Sequence, residues 1–323
     1  MKTLATARSL AALGALAVLL ASGAAAGDSA FPYDSGGSGF APARMGTRVL
    51  GPAVASAGME LSGPDAADAL RELLLSAREG GLDPGEVLAA TLPSPSEVLA
   101  LLSMDRDVDD FARNAREGGR AGSYYSSELR LAGSVRPRRQ SFFSVFDAAY
   151  AELGSPPSAG LLDGVRPYDA STGIIGPPVS ELVYSHPFAL DLFFDRVRNR
   201  PDGQEGPVIP SLSDGMVVAA SSSWRGGAGL ASWESGGLSP SAGNGVVVYD
   251  ALNKRVFSYF HLRSTSLRVG DLVRAGTVLG VGGNTGVNAR RPGHGGHLHV
   301  EIFDVAGDRS LGAREILRLV TTK

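Results

Sequence analysis

The chain has 323 residues, with 30 Lys and Arg against 33 Asp and Glu, a formal charge of −3 and a pI near 6.0. That balance carries no global basic signal, which argues against nucleic acid or an anionic membrane surface as partner. Cysteine is absent, so disulfides and cysteine lipidation are excluded, and stability must come from packed cores and any bound metal.

The first elements concern targeting. Lys2 and Arg8 precede an apolar run from Leu10 to Ala21, and residues 22–27 are small with an A-x-A pattern. This pattern predicts a secretory signal peptide over residues 1–26, cleaved after Ala26. The apolar run is shorter than the about 20 residues a membrane-spanning helix needs. The expected location is exported, in the periplasm or cell envelope or outside the cell, with no membrane span after cleavage. Residues 27–61 are rich in Gly, Ala, Pro and Ser without a period and read as a linker or loosely ordered segment.

Three helix starts follow between 62 and 118. Ser62-Gly63-Pro64-Asp65, Asp83-Pro84-Gly85-Glu86 and Ser94-Pro95-Ser96-Glu97 each place a capping residue ahead of an acidic one, with Pro in the first turn. Leu70, Leu73, Leu74 and Ala77 keep helical spacing, as do Val98, Leu101 and Leu102, with Val108 and Phe111 further on. Gly80-Gly81 and Gly118-Gly119 close two helices. Residues 62–150 are therefore expected to form a small helical N-terminal domain. Two roles stand open for it: a module that restrains the rest of the chain or docks an envelope protein partner, or a packing appendage. The basic run Arg136-Pro137-Arg138-Arg139 is expected to be a solvated loop, and residues 151–180, rich in Pro and Gly, to be a connector.

From about 181 to 323 the texture changes to short β-type runs separated by turns. Residues 215–220, 245–249 and 255–262 are predicted strands, the last two joined through 250–254 as a hairpin. Residues 267–276 alternate and turn tightly, and a short helix is expected over 313–320. The predicted fold is a mainly β C-terminal domain of antiparallel sheets with an open groove, preceded by the small α-helical region.

The chemistry gathers in this β region. The five histidines are His186, His261, His294, His297 and His299. In His297-Leu298-His299-Val300-Glu301-Ile302, strand alternation puts His297, His299 and Glu301 on one face and Leu298, Val300 and Ile302 on the other. Two imidazoles about 6–7 Å apart then point into a groove. Histidine and carboxylate are zinc ligands, and histidines outside the ligand set can act beside a metal. A single H-x-H pair is more often an ordinary half-exposed strand; it is the combination with His261 and with His186 and Asp191 that points to a zinc hydrolase. No G-x-S-x-G and no H-E-x-x-H occurs, which disfavours a serine hydrolase and a helix-borne glutamate base. A lipoyl-like or carbohydrate-binding β module would account for 269–282 and leave the histidines unexplained. Trp224 and Trp233 lie in a Gly- and Ser-rich stretch, 221–243, readable as a groove wall or as an insertion tucked onto the sheet. Arg290, Arg291 and His294 precede the H-x-H strand, where they could meet a substrate carboxylate or line a solvated loop.

Three motifs, in order, carry a resemblance: Tyr259-Phe260-His261-Leu262 followed by 269–276, Leu279-Gly280-Val281-Gly282-Gly283-Asn284-Thr285-Gly286, and Gly296-His297-Leu298-His299-Val300-Glu301. Over roughly its last 140 residues the chain resembles the lysostaphin/LytM-type zinc metallopeptidases, which cut peptide cross-links of bacterial peptidoglycan. The resemblance implies Zn2+ held by His186, Asp191 and His299, with water in the fourth position. It also implies His261 and His297 as catalytic non-ligand histidines acting on a zinc-activated water. The implied partners are stem or cross-bridge peptides of peptidoglycan. Glu301 is expected behind the metal ligands or facing solvent. One departure stands out: His186 and Asp191 are five apart where the family usually has H-x-G-x-D, and Phe188 stands near the family's glycine. A bulge would absorb the extra residue, and Asp195 is the alternative carboxylate. Family members lacking ligands act as non-catalytic regulators that bind the wall or activate another hydrolase; this chain keeps a residue for each role.

Overall fold

The computed structural model describes residues 65–92, 98, 102, 139–154, 161–178, 182, 188–195, 206–224, 243–286 and 296–322. The signal segment, the linker, the third predicted helix start, His186, Trp233, Arg290, Arg291 and His294 lie outside the described residues.

Two of the predicted helices are present; the Gly80-Gly81 stop and the Asp83-Pro84 start fall where expected, whereas the first helix is entered from Asp65, Ser62 lying outside the described residues. α1 spans Ala66–Glu79 and buries Leu70, Leu73, Leu74 and Ala77, the stripe that helical spacing selects. It stops at Gly80, and Gly81 follows with φ +70°, a conformation glycine adopts without steric cost. α2 spans Pro84–Thr91, opened by Asp83, whose carboxylate accepts a 3.0 Å hydrogen bond from the Gly85 amide. A longer helix, α3 (Arg139–Leu153), lies at the end of the region expected to be helical, where no helix start was singled out. Its buried face carries Phe142, Phe143, Val145, Phe146, Ala149 and Tyr150. Here the structure corrects an expectation: Arg139 is not in a solvated loop. It is 8% exposed, pairs with Asp308 at 2.7 Å and sits 5.2 Å above the Phe303 ring.

Among the described residues the β region forms a ten-stranded antiparallel sheet. Its strands are β1 (Ile174–Ile175), β2 (Leu190–Phe194), β3 (Val208–Pro210), β4 (Gly215–Ser221), β5 (Asn244–Asp250), β6 (Arg255–Ser264), β7 (Leu272–Val273), β8 (Val278–Gly282), β9 (His297–Asp304) and β10 (Arg309–Ser310). The main path runs β1-β2-β9-β6-β5-β4-β7; β10 pairs with β9, and β8 joins β3 to β6. The β5–β6 hairpin turns at 251–254, as expected. α4 (Ala313–Val320) closes the chain at the predicted position. The mainly β domain with a preceding helical region is thus the fold observed.

Both faces of the sheet are covered, which explains why β5 reads as the unbroken apolar run Val246-Val247-Val248-Tyr249. One face, bearing Val217, Val246, Val248, Phe257, Tyr259, Leu298, Val300 and Ile302, packs with Tyr168, Ile174 and the α4 residues Ile316 and Val320. The stretch 161–178, read as a connector, therefore contributes core residues and the edge strand β1. On the opposite face Met216, Val218, Tyr249, Val256, Phe260 and Phe303 share one core with α1, α2 and α3. Phe143 stacks on Tyr249 and Phe303 at ring separations of 6.0 and 5.9 Å. The Tyr249 hydroxyl donates to Asp147 at 2.7 Å, and Lys254 reaches the same carboxylate oxygen at 2.6 Å. The helices are thus packed on the sheet face that also bears the histidines.

Candidate active site

β9 supplies His297 and His299, and the observed alternation matches the expectation: Leu298, Val300 and Ile302 are fully buried in the opposite core. β2 pairs antiparallel with β9 so that Asp191 stands opposite His299 and Phe193 opposite His297. Cross-strand neighbours share a face. The register alone therefore brings the carboxylate to the imidazole. Asp191 Oδ1 is 2.9 Å from His299 Nδ1 and 4.0 Å from His297 Nε2. Asp195 is at the end of β2, four residues on, or about 13 Å along an extended strand, where its amide donates to the Gly173 carbonyl. Asp191 is the carboxylate the register sets against His299.

His261 arrives by a different device. Along β6, Val256 and Phe260 face the histidine side while Phe257 and Tyr259 face the other core. Strict alternation would send His261 away from the site. Instead Asn244 pairs with Leu262 and Gly245 with Phe260, leaving His261 as the extra residue of a β-bulge. Its φ is +64°, a left-handed conformation uncommon outside glycine. The bulge turns His261 to the histidine side and returns Leu262 to the core. The His261 ring then lies 4.7 Å from His297 and 5.5 Å from His299, both edge-on. Gly245 is required opposite, because a Cβ there would come within 2.4 Å of the Phe260 ring.

A clip secures the bulge. The Thr285 carbonyl oxygen is 2.8 Å from His261 Nδ1. Its hydroxyl donates to the Leu262 carbonyl at 2.6 Å and accepts from the Asn244 amide at 3.0 Å. A carbonyl only accepts, so the His261 proton sits on Nδ1 and Nε2 keeps its lone pair. Burial first, then the neighbouring His299 and His297, push the His261 pKa down to about 3; the ring is neutral at working pH. For His299 burial opposes charge, but hydrogen bonds to Asp191 and Glu301 outweigh it and raise the pKa. His261 and His297 are each 6% exposed.

Sequence reading singled out Gly283-Asn284-Thr285-Gly286 without giving Thr285 a role. Its link to His261 runs across 24 residues, and no local pattern reports such a contact. Phe193 was also missed. It is 42% exposed beside His297, at a ring separation of 6.1 Å, and Ile175 of β1 stands opposite it. Trp224 is buried in the core shared with the helices, so it is not a groove wall.

Among the described residues no group of three His, Asp or Glu side chains closes a metal site by itself; the third expected ligand, His186, lies outside them. The donors that are described fit a zinc site in kind: one carboxylate oxygen and one imidazole nitrogen facing each other, with a second histidine beside them.

Residues 201–310 match the family model described as Peptidase family M23. Over these residues the chain is similar to the M23 peptidases. The match contains His261, His297 and His299 and begins after His186 and Asp191, the pair whose spacing departs from the family pattern. Similar solved structures include the catalytic domain of the antimicrobial peptidase lysostaphin from Staphylococcus simulans, 20% identical, covering 45% of this chain and 89% of that one, TM-score 0.29. A catalytic-domain mutant of the prophage-encoded M23 protein EnpA from Enterococcus faecalis is 21% identical, with 46% and 88% coverage and TM-score 0.27. A putative peptidase M23 from Pseudomonas aeruginosa is 22% identical, with 51% and 54% coverage and TM-score 0.29, so this chain spans little more than half of that protein. No curated protein matches the chain. Among the described residues no helix is long and apolar enough to cross a membrane.

Proposed function

We propose that this protein is a zinc-dependent endopeptidase that hydrolyses peptide cross-links of bacterial peptidoglycan, with His186, Asp191 and His299 as metal ligands and His261 and His297 as catalytic residues. The observation that carries the proposal is the convergence of Asp191 and His299 at 2.9 Å with two buried histidines beside them. Zinc held there would supply Lewis-acid polarisation of the scissile carbonyl and a water acidic enough to attack at neutral pH.

The protein's own groups have distinct tasks. His261 is neutral, with its proton committed to the Thr285 carbonyl, so Nε2 is free of a proton and suited to accept one from the attacking water. His297, buried against His261, is suited to hydrogen-bond the oxygen on which charge develops. Phe193, exposed beside His297, offers an apolar surface to the peptide. The proposed setting is the periplasm or cell envelope, where stem and cross-bridge peptides are available.

Elemental analysis of protein purified without chelator tests the ligand set. One zinc per chain is expected, and Asp191→Ala should lose it. Undiminished zinc in that variant would remove Asp191 from the set. A chain that never retains zinc would instead favour a non-catalytic, wall-associated regulator of the same fold.

A further inference from the structure

His299 is engaged on both ring nitrogens. Asp191 Oδ1 is 2.9 Å from Nδ1, and Glu301 Oε1 is 3.0 Å from Nε2. An imidazole that binds a metal must leave one nitrogen bare and carry its proton on the other. The nitrogen facing the other proposed ligand is Nδ1, so Nε2 is the one that must carry the proton. Its neighbour is a carboxylate, which accepts hydrogen bonds and has nothing to donate when ionised.

The sequence arranges this locally. His299 and Glu301 are two apart on β9, so their side chains leave the same face of the strand. The β6 residues opposite them, Phe260 and Ser258, are buried. Phe260 lies 6.2 Å from the His299 ring, tilted by 43°, and limits where that ring can swing. The Glu301 side chain is 41% exposed, against 12% for His299. Glu301 therefore holds His299 from the solvent side while its partner Asp191 holds it from the inner side.

We propose that Glu301 is a positioning residue for the zinc ligand His299: it accepts the Nε2 proton, fixes the tautomer that leaves Nδ1 bare, and keeps the ring turned toward Asp191. The inference rests on the ligand set proposed above. Carboxylates commonly orient metal-bound histidines in this way. A general-base role for Glu301 is incompatible with its place, because the His299 ring stands between it and Asp191.

The test uses the full chain with Glu301→Ala and Glu301→Gln. Zinc affinity is read by competition with a chromophoric chelator, and the His299 Nε2 proton by 15N NMR of the imidazole nitrogens in zinc-loaded protein. Glu301→Ala is expected to weaken zinc binding about 10- to 100-fold at unchanged thermal midpoint, with the Nε2–H signal shifted and broadened by exchange with solvent. Glu301→Gln keeps an oxygen that can accept from Nε2 and is expected to recover most of the affinity. Wild-type affinity and an unchanged Nε2–H signal in Glu301→Ala would overturn the inference while leaving the ligand set intact. Equal weakening in both variants would also overturn it, since charge and not the accepted hydrogen bond would then be responsible. Absence of zinc from the wild-type chain would fail the ligand set first, and this inference with it.

Discussion

Phe146→Ala tests whether the helices and the sheet are one cooperative unit. Phe146 is fully buried on α3, its ring 5.5 Å from Tyr249 of the sheet and 6.2 Å from Phe143. Truncating a buried Phe to Ala commonly costs about 3–5 kcal/mol, transfer and cavity terms together. The next residue, Asp147, holds the Tyr249 hydroxyl and Lys254, so the neighbourhood is pinned and cannot easily collapse into the cavity. The upper part of that range is expected. Against a typical total stability of about 5–15 kcal/mol, this is a large fraction. Urea unfolding should be followed by far-UV circular dichroism and by tryptophan fluorescence, Trp224 being buried in the same core. The structure predicts one transition, displaced to lower urea in both signals, with an unchanged slope. A biphasic curve in which only a helical part melts early, or a shift below about 1 kcal/mol, would refute the shared core.

Three further outcomes follow from the same contacts. A chain beginning at Ser180 would lose α1, α2, α3 and β1 and expose Tyr249, Phe260 and Phe303; burying each such side chain is worth about 1.5–3 kcal/mol, so it should fail to fold on its own and digest peptidoglycan more slowly than the longer chain. A stable fragment with equal or faster turnover would show the helices to be a removable restraint. His261→Ala and His297→Ala should retain zinc by elemental analysis and lose about 10²- to 10³-fold in turnover; loss of zinc in either would move that residue into the ligand set. Finally, His261 is neutral in the folded protein down to about pH 3, whereas an unfolded histidine gains its proton near pH 6.5. Its contribution to stability is therefore present above pH 6.5 and drains as pH falls toward 3. In metal-free protein, His261→Asn should flatten the decline of the denaturation midpoint across that window, and an unchanged slope would contradict the buried neutral state.

The parts of the fold legible in the sequence were those with a local cause. Strand alternation in 297–302 placed both histidines and Glu301 on one face, and the Asp83-Pro84 start and the Gly80-Gly81 stop located two helix ends. α4 was legible for the same reason. What escaped was non-local. α3 lies among Gly-, Pro- and Arg-rich segments, and its Phe143 and Phe146 find meaning only against Tyr249 and Phe303, more than 100 residues away. The basic run before it suggested solvent, yet Arg139 is buried because Asp308 and the Phe303 ring receive it. His261 was recognised through its motif, but the bulge that aims it depends on the register with Asn244 and Gly245. The pairing of Asp191 with His299 likewise follows from strand register between segments more than 100 residues apart.

The central claim is that this site cuts wall peptides through a bound metal. Purified peptidoglycan should be digested with the chain lacking residues 1–26, with and without a strong chelator, and the released fragments identified by mass spectrometry. The account predicts new amino termini within stem or cross-bridge peptides, abolished by chelator and restored by zinc. Fragments that persist in chelator, or no fragments from protein carrying one zinc per chain, would contradict it.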